Sequence, residues 1–323
     1  MTRVSMAAVS LLLLTAACTK SSSSPTSPTS GSSSSPSSWT LAGEVVATSG
    51  SAVGGAAVSF AGQQASTDAA GRFMIQHQSA SSGQLLLSHP SLLDRRIWLR
   101  GGTSRTDLTL DPIALVAPFD LAFYRQMVRN AFEGTGQEPV RRWTVAPKFY
   151  VRTTEDSGTA IDSDTLARVR DGLIEGVAHY SPLDPPHIEM GAEDRPESNG
   201  WIIVRLHRRW QSGDPCGQAT VGGNQGWISL YMDNCRCPGE RSRMAVGTVM
   251  HEVGHSMGFW HVSERPHILS VPYACGRVAT EKERFHTRIA YRRPVGNTDP
   301  DNDPSTAFAS TAEAAPVVVS CHP

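Results

Sequence analysis

Apolar and polar residues alternate in short runs over the first third of the chain, then recur at helical spacing further on. Between Trp39 and about Asp111 the runs Leu41–Val46, Ala57–Phe60, Ser66–Ile75, Gln84–Ser88 and Leu108–Leu110 are short and separated by turn residues. That pattern predicts a small antiparallel β-sandwich over 39–112. Leu121, Tyr124, Val128 and Phe132 then repeat at helical spacing, which predicts a connector helix from an Asp120 cap through Phe132. Lys148–Arg152 reads as a strand. Asp162–Tyr180 reads as an amphipathic helix with Leu166, Val169, Leu173, Ile174 and Val177 on its apolar side. Trp201–Leu206 and Trp227–Met232 read as two more strands, and Glu281–Tyr291 as a last helix. A strand, helix, strand, strand order predicts an α+β domain with a mixed sheet over 113–323.

The length of 323 residues fits about two domains, and 39% hydrophobic residues suffice for packed cores. A formal net charge of −1 argues against nucleic acid as a partner. The start of the chain changes the picture more. Arg3, the apolar run Val4–Ala17 and the small pair Ala16–Ala17 before Cys18 predict an export signal over 1–17. The ending Leu14-Thr15-Ala16-Ala17-Cys18 resembles a bacterial lipobox, which implies a lipid anchor at Cys18. All of residues 21–38 are Ser, Thr, Pro or Gly, so 18–38 is expected to be a disordered tether reaching about 23 Å. The expected place is the bacterial cell envelope, anchored to a membrane without spanning it, and the outer membrane in a Gram-negative host. Cys216, Cys235, Cys237, Cys275 and Cys321 fit an oxidising compartment. Two disulfides and one thiol is the natural count, with the pairing open.

The chemistry is concentrated in residues 250–261, Met-His-Glu-Val-Gly-His-Ser-Met-Gly-Phe-Trp-His. His251 and His255 are four apart on the expected helix, so both imidazoles leave one face and can share one ion. Val246, Met250, Val253 and Met257 form an adjacent apolar stripe expected to pack the helix on the sheet. Gly258 is placed to end the helix, and the turn after it brings His261 back toward the same ion. Three neutral imidazoles leave a fourth position open, the arrangement of a catalytic zinc site. Glu252 adjoins the first ligand and can serve as the base for a zinc-bound water.

This H-E-x-x-H-x-x-G-x-x-H string resembles the metzincin zinc endopeptidases. The resemblance implies Zn2+ held by His251, His255 and His261, with Glu252 catalytic, in a mixed sheet over a zinc-binding helix. It implies a zinc metalloendopeptidase acting on protein or peptide substrates. No Met follows Met257, where that clan has a methionine turn; the nearest string is Leu269-Ser270-Val271-Pro272-Tyr273. Tyr273 is a candidate catalytic residue, because the corresponding Tyr in some metzincins stabilises the oxyanion. The resemblance also implies that Trp227–Met232 is the sheet edge to which an extended substrate adds. Separately, Gly43, Val45 and the runs around Ala57–Phe60 and Thr67–Phe73 resemble carboxypeptidase-regulatory-like domains, which have a transthyretin-like sandwich. Asp299, Asp301 and Asp303 could ligate Ca2+ through oxygen, although a solvated acidic loop is the plainer reading. His267 and His286 read as surface or helix positions. Two rival functions stay open: a zinc hydrolase of a non-peptide amide, and an adhesion or binding protein whose zinc is structural.

Overall fold

A computed structural model describes residues 39–77, 81–208, 215–234, 243–271, 278–305 and 317–321. The export signal, the tether, Cys18, Cys235, Cys237, Cys275 and Tyr273 lie outside the described residues. No described helix is long and apolar enough to cross a membrane.

The first seven strands are β1 (Trp39–Val45), β2 (Ala57–Phe60), β3 (Gln63–Ser66), β4 (Arg72–His77), β5 (Gly83–Ser88), β6 (Arg95–Leu99) and β7 (Arg105–Leu110). They form one sheet of order β4-β1-β7 and another of order β3-β2-β5-β6. Side chains alternate across a strand, so Leu41, Phe73, Ile75 and Leu110 of the first sheet meet Val58, Phe60, Leu85, Leu87 and Leu99 of the second in one apolar cluster. Trp39 and Phe60 cross edge to face with ring centroids 5.5 Å apart. The expectation of wholly antiparallel pairing needs correction, because β1 and β7 are parallel. The chain reaches β7 from β6 in the other sheet, a crossover and not a hairpin. β3 and β6 were not anticipated: Gln63–Ser66 has no apolar alternation, and Arg95–Leu99 opens on two arginines.

The rest of the chain is α+β. Its elements are α1 (Leu121–Arg129), β8 (Lys148–Arg152), α2 (Ser163–Tyr180), β9 (His187–Gly191), β10 (Trp201–Arg208), β11 (Gly217–Thr220), β12 (Gly226–Met232), α3 (Val246–Ser256), α4 (Glu281–Tyr291) and β13 (Val318–Cys321). The sheet order is β13-β11-β12-β10-β8-β9. The four strands β9, β8, β10 and β12 run parallel, whereas β11 is antiparallel to β12 and β13 antiparallel to β11. Trp227–Met232 is therefore an interior strand, which corrects its expected place at the edge. The short Gly-Gln-Ala-Thr run of β11 lacks a strand signature and covers it.

Local chemistry sets the helix ends. Asp120 and Asp162 cap α1 and α2 by accepting N–H bonds from Phe123 and Thr165. α1 stops at Arg129, three residues short of the expected end, because Asn130 turns left-handed at φ 56°. α3 packs closely on α2, where Gly172 and Gly176 form a notch. A Cβ at Gly172 would lie 2.5 Å from the Cβ of Val249, and one at Gly176 would lie 2.8 Å from that of Val253. The apolar stripe of α3 is thus shared between this notch and the sheet. His267 and His286 are buried and not at the surface, and His286 lies on α4, the helix alternative of its expectation. His286 Nε2 accepts the Asp120 N–H, while its Nδ1 donates to Lys282 O.

The two apolar regions are joined through a buried polar network. Asp301 Oδ1 accepts from Arg95 at 2.9 Å and from Asn297 at 3.0 Å, and it is ion-paired with Arg293 at 2.7 Å. Asp303 pairs with Arg95 at 3.2 Å, and Asp299 takes a two-pronged bond from Arg125 at 2.9 Å. These carboxylates, weighed above as calcium ligands, are instead neutralised by guanidinium groups, and the planar fork of Arg matches a carboxylate better than an oxygen cage does. Removing one partner of a buried pair strands the other charge at a cost of about 3–5 kcal/mol. Asp301→Ala is expected to lose about that much, read from the midpoint of urea unfolding, and Asp156→Ala on an exposed pair to lose under about 1 kcal/mol.

Candidate metal centre

α3 presents His251 and His255 one turn apart, both fully buried. The helix then closes in a Schellman turn. Gly258 N–H donates to His255 O at 2.8 Å and Phe259 N–H to Gly254 O at 3.0 Å. Gly258 sits at φ 107°, and a Cβ there would lie 1.4 Å from Arg141 O, so both the turn and the close approach exclude a side chain. The reversal delivers His261 to its two partners. The three Nε2 atoms stand 3.0, 3.0 and 3.1 Å apart.

The opposite ring nitrogens decide what these atoms are. His251 Nδ1 donates to Ile268 O at 2.7 Å, His255 Nδ1 to Phe259 O at 2.8 Å and His261 Nδ1 to Glu133 Oε2 at 2.8 Å. Carbonyls and carboxylates only accept, so each Nδ1 holds the proton of a neutral ring and each Nε2 offers a lone pair. Three lone pairs aimed at one point repel unless a cation lies between them. The donor set therefore fits a metal ion, and His251, His255 and His261 are the residues that can hold it.

Each carbonyl and carboxylate partner has its own support. Ile268 lies in a loop whose neighbour Leu269 bonds back to Val262 N–H at 3.0 Å and donates its own N–H to Glu283 at 3.1 Å. Glu283 is buried and also forms a capping box with Thr280 at the start of α4. Burial works to raise its pKa. His179, 3.5 Å away, and the N–H groups of Leu269 and Thr280 outweigh that and hold it below the ordinary value. Glu133 stands in the turn after α1 and escaped the sequence reading, because nothing in its surroundings marks it and 128 residues separate it from His261. Trp143 Nε1 donates to Ser256 O at 2.7 Å and steadies the end of α3.

Glu252 is fully buried beside the triad. Its carboxylate lies over β11, where a Cβ at Gly217 would come within 2.5 Å of Oε1. One nitrogen of His251, one carboxylate oxygen of Glu252 and the sulfur of Cys321 all lie within 4.8 Å of one another. Sequence reasoning did not place Cys321 here, since β13 returns to the sheet from the far end of the chain. Cys216 next to it is disulfide-bonded.

No family model and no curated protein matches the chain. Solved structures that match include two type II cohesin–X-dockerin complexes from Acetivibrio cellulolyticus, an N-terminal and a C-terminal interface mutant. Each is 22% identical over 23% of this chain and 55% of that chain, with a TM-score of 0.21. This chain thus spans little more than half the length of the structures it matches, and at that score the likeness carries no argument.

Two measurements check the site. Glu133→Ala is expected to weaken metal binding about 10–100-fold in competition with a chelator, as the loss of a ligand's hydrogen-bond partner does. Because the folded-state pKa of Glu283 lies below its ordinary 4.5, its contribution is complete above that pH and is lost as pH falls through the folded value. Metal-free protein should therefore lose less stability between about pH 5 and pH 3 when Glu283 is replaced by Gln, read as the shift in Tm over that window.

Proposed function

We propose that the chain is a zinc endopeptidase of the metzincin type, exported and anchored at Cys18 to the cell envelope, with the N-terminal strands acting as a sandwich-like spacer. The observation that carries this reading is the convergence of three Nε2 lone pairs with the Glu252 carboxylate beside them. Zinc bound there would supply a Lewis acid that acidifies a water and polarises a carbonyl. Everything else falls to the chain's own residues. Ile268 O, Phe259 O and Glu133 fix the three rings so that no reorganisation is needed at the moment of reaction. Glu252 accepts the proton of the attacking water on a carboxylate oxygen and returns it to the leaving amine, and its burial keeps bulk water from competing for that proton. Tyr273 is retained as the group that stabilises the developing oxyanion. An extended peptide would add its backbone to an edge of this sheet, whose outermost strands are β13 and β9. Substrate selection among proteins and peptides is left to the side chains around that edge.

One observation favours a rival. The Cys321 sulfur lies close to His251 and Glu252, and a sulfur donor near one of the three histidines suits a structural site in a binding protein. The two readings differ in what Glu252 does. With zinc-loaded full-length chain and a mixed peptide library, Glu252→Ala should keep one zinc per chain and lose about 10²–10⁴-fold in turnover. Equal cleavage by both proteins, or cleavage by neither with zinc bound, would sink the protease reading.

A further inference from the structure

A second set of hydrogen-bonded side chains lies on the face of the six-stranded sheet turned away from the metal centre. Val204 and Leu206 of β10 and Ile228 and Leu230 of β12 point into the core shared with α2 and α3. The residues between them alternate to the opposite face. In the parallel register of β10 and β12, Arg205 stands beside Ser229 and His207 beside Tyr231, so His207 is the diagonal neighbour of Ser229. Asp156, in the turn after β8, accepts from His207 Nδ1 on Oδ2 at 2.7 Å. That bond keeps the proton on Nδ1 and leaves Nε2 a lone pair, to which the Ser229 hydroxyl donates at 3.3 Å. The relay is held from two sides. Arg152 binds the other oxygen of Asp156 at 3.1 Å, and the His207 ring stacks on Tyr231 with centroids 5.2 Å apart. A cavity of about 570 Å³ opens beside it, bordered by Asp156, Thr159, His207, Arg208 and Tyr231. It lies at the carboxyl ends of the parallel strands β8 and β10, where open α/β sheets bind small ligands.

We infer that Ser229, His207 and Asp156 form a second, metal-independent catalytic site that hydrolyses small neutral esters. Ser229 is the nucleophile, His207 the general base and then acid, and Asp156 a positioning residue that fixes the imidazole tautomer. As Ser229 Oγ bonds to the acyl carbon, its proton passes to His207 Nε2. His207 returns that proton to the leaving alkoxide as the ester C–O bond breaks. Water then attacks the acyl-serine and gives a proton to His207, which delivers it to Ser229 Oγ as the acid departs. Arg205 is the group placed to meet the negative charge on the acyl oxygen. Its Nε is held by Asp194 at 3.1 Å and one terminal nitrogen by Arg195 O at 3.4 Å, while Nη1 has no partner among the described residues. A single guanidinium is a modest oxyanion site, which suits an ester with its good leaving group and not an amide. A neutral substrate fits the cavity because Arg208 on its border is already paired with Glu155, through bonds of 2.8 and 3.0 Å. The inference does not depend on the reading of the three histidines, which lie across the sheet.

The test uses the full-length chain, with diisopropyl fluorophosphate as covalent probe and p-nitrophenyl acetate as substrate. Mass-spectrometric mapping of wild type should find the phosphoryl group on Ser229, an adduct that hydrolysis at a metal centre does not leave and a readout that needs no variant to fold. The same reagent should stop release of p-nitrophenol. Ser229→Ala should keep the Tm of wild type and lose both the adduct and the ester turnover. His207→Ala should slow labelling and turnover by about 10²-fold or more. Asp156→Asn should lower kcat about tenfold or more with KM unchanged, and Asp156→Glu should restore part of it, a split that a merely structural contact would not give. Absence of any adduct on Ser229, labelling only at other residues, or ester turnover that survives Ser229→Ala in folded protein would each overturn the inference. The three side chains would then be a surface tether only, and the metal centre would be untouched by the result.

Discussion

Three imidazole lone pairs within 3.1 Å of one another are an electrostatic liability that the surrounding fold is arranged to hold. Each ring is pinned through its far nitrogen, and each pin is anchored elsewhere. Ile268 O sits in a loop tied through Leu269 to a buried carboxylate at the start of α4. Phe259 O belongs to the turn that ends α3, and Glu133 to the turn that ends α1. The helix itself is drawn against α2 by the notch at Gly172 and Gly176. A change in any of these supports would move a ring nitrogen before it unfolded the chain.

The buried charges follow a different logic. Arg95, Arg293, Asp301 and Asn297 bind residues 95 and 111 of the N-terminal part to the segment 293–303 that follows α4. Such a network adds little net stability over an apolar packing of the same volume, but it is intolerant of losing one member. It therefore sets how the N-terminal strands are seated more than how strongly. The N-terminal strands are thereby a fixed extension of the α+β part and not a second bead on a string.

Several elements were legible from residue pattern because their signals are local. Asp162 and the spacing of Val169, Leu173 and Val177 mark α2 within a residue, and Glu281–Tyr291 is α4 to the residue. His251, Glu252, His255, Gly258 and His261 could be assigned because helix period and a glycine turn bring them together within eleven residues of chain. The expectation for calcium was misled by composition: Asp299, Asp301 and Asp303 read as an acidic loop, and only the fold brings Arg95, Arg125 and Arg293 to them. The edge strand was misplaced for a similar reason. Trp227–Met232 has a strong strand pattern and was assigned the exposed position, while the weakly patterned Gly217–Thr220 covers it and the short Val318–Cys321 strand forms the edge beyond.

The sequence by itself picked out the three histidines that could hold a metal, the glutamate beside them and the secondary structure that carries them, since all of these depend on neighbours within a few turns of chain. Tertiary structure alone decided three things. It chose Glu133 as the partner of His261, it turned the acidic run into an arginine-bound junction, and it returned Cys321 to the face of Gly217. Apart from Arg293 on Asp301, each joins residues about 100 or more positions apart, and the energy that selects them comes from burial and charge neutralisation in the assembled core, which no local pattern encodes.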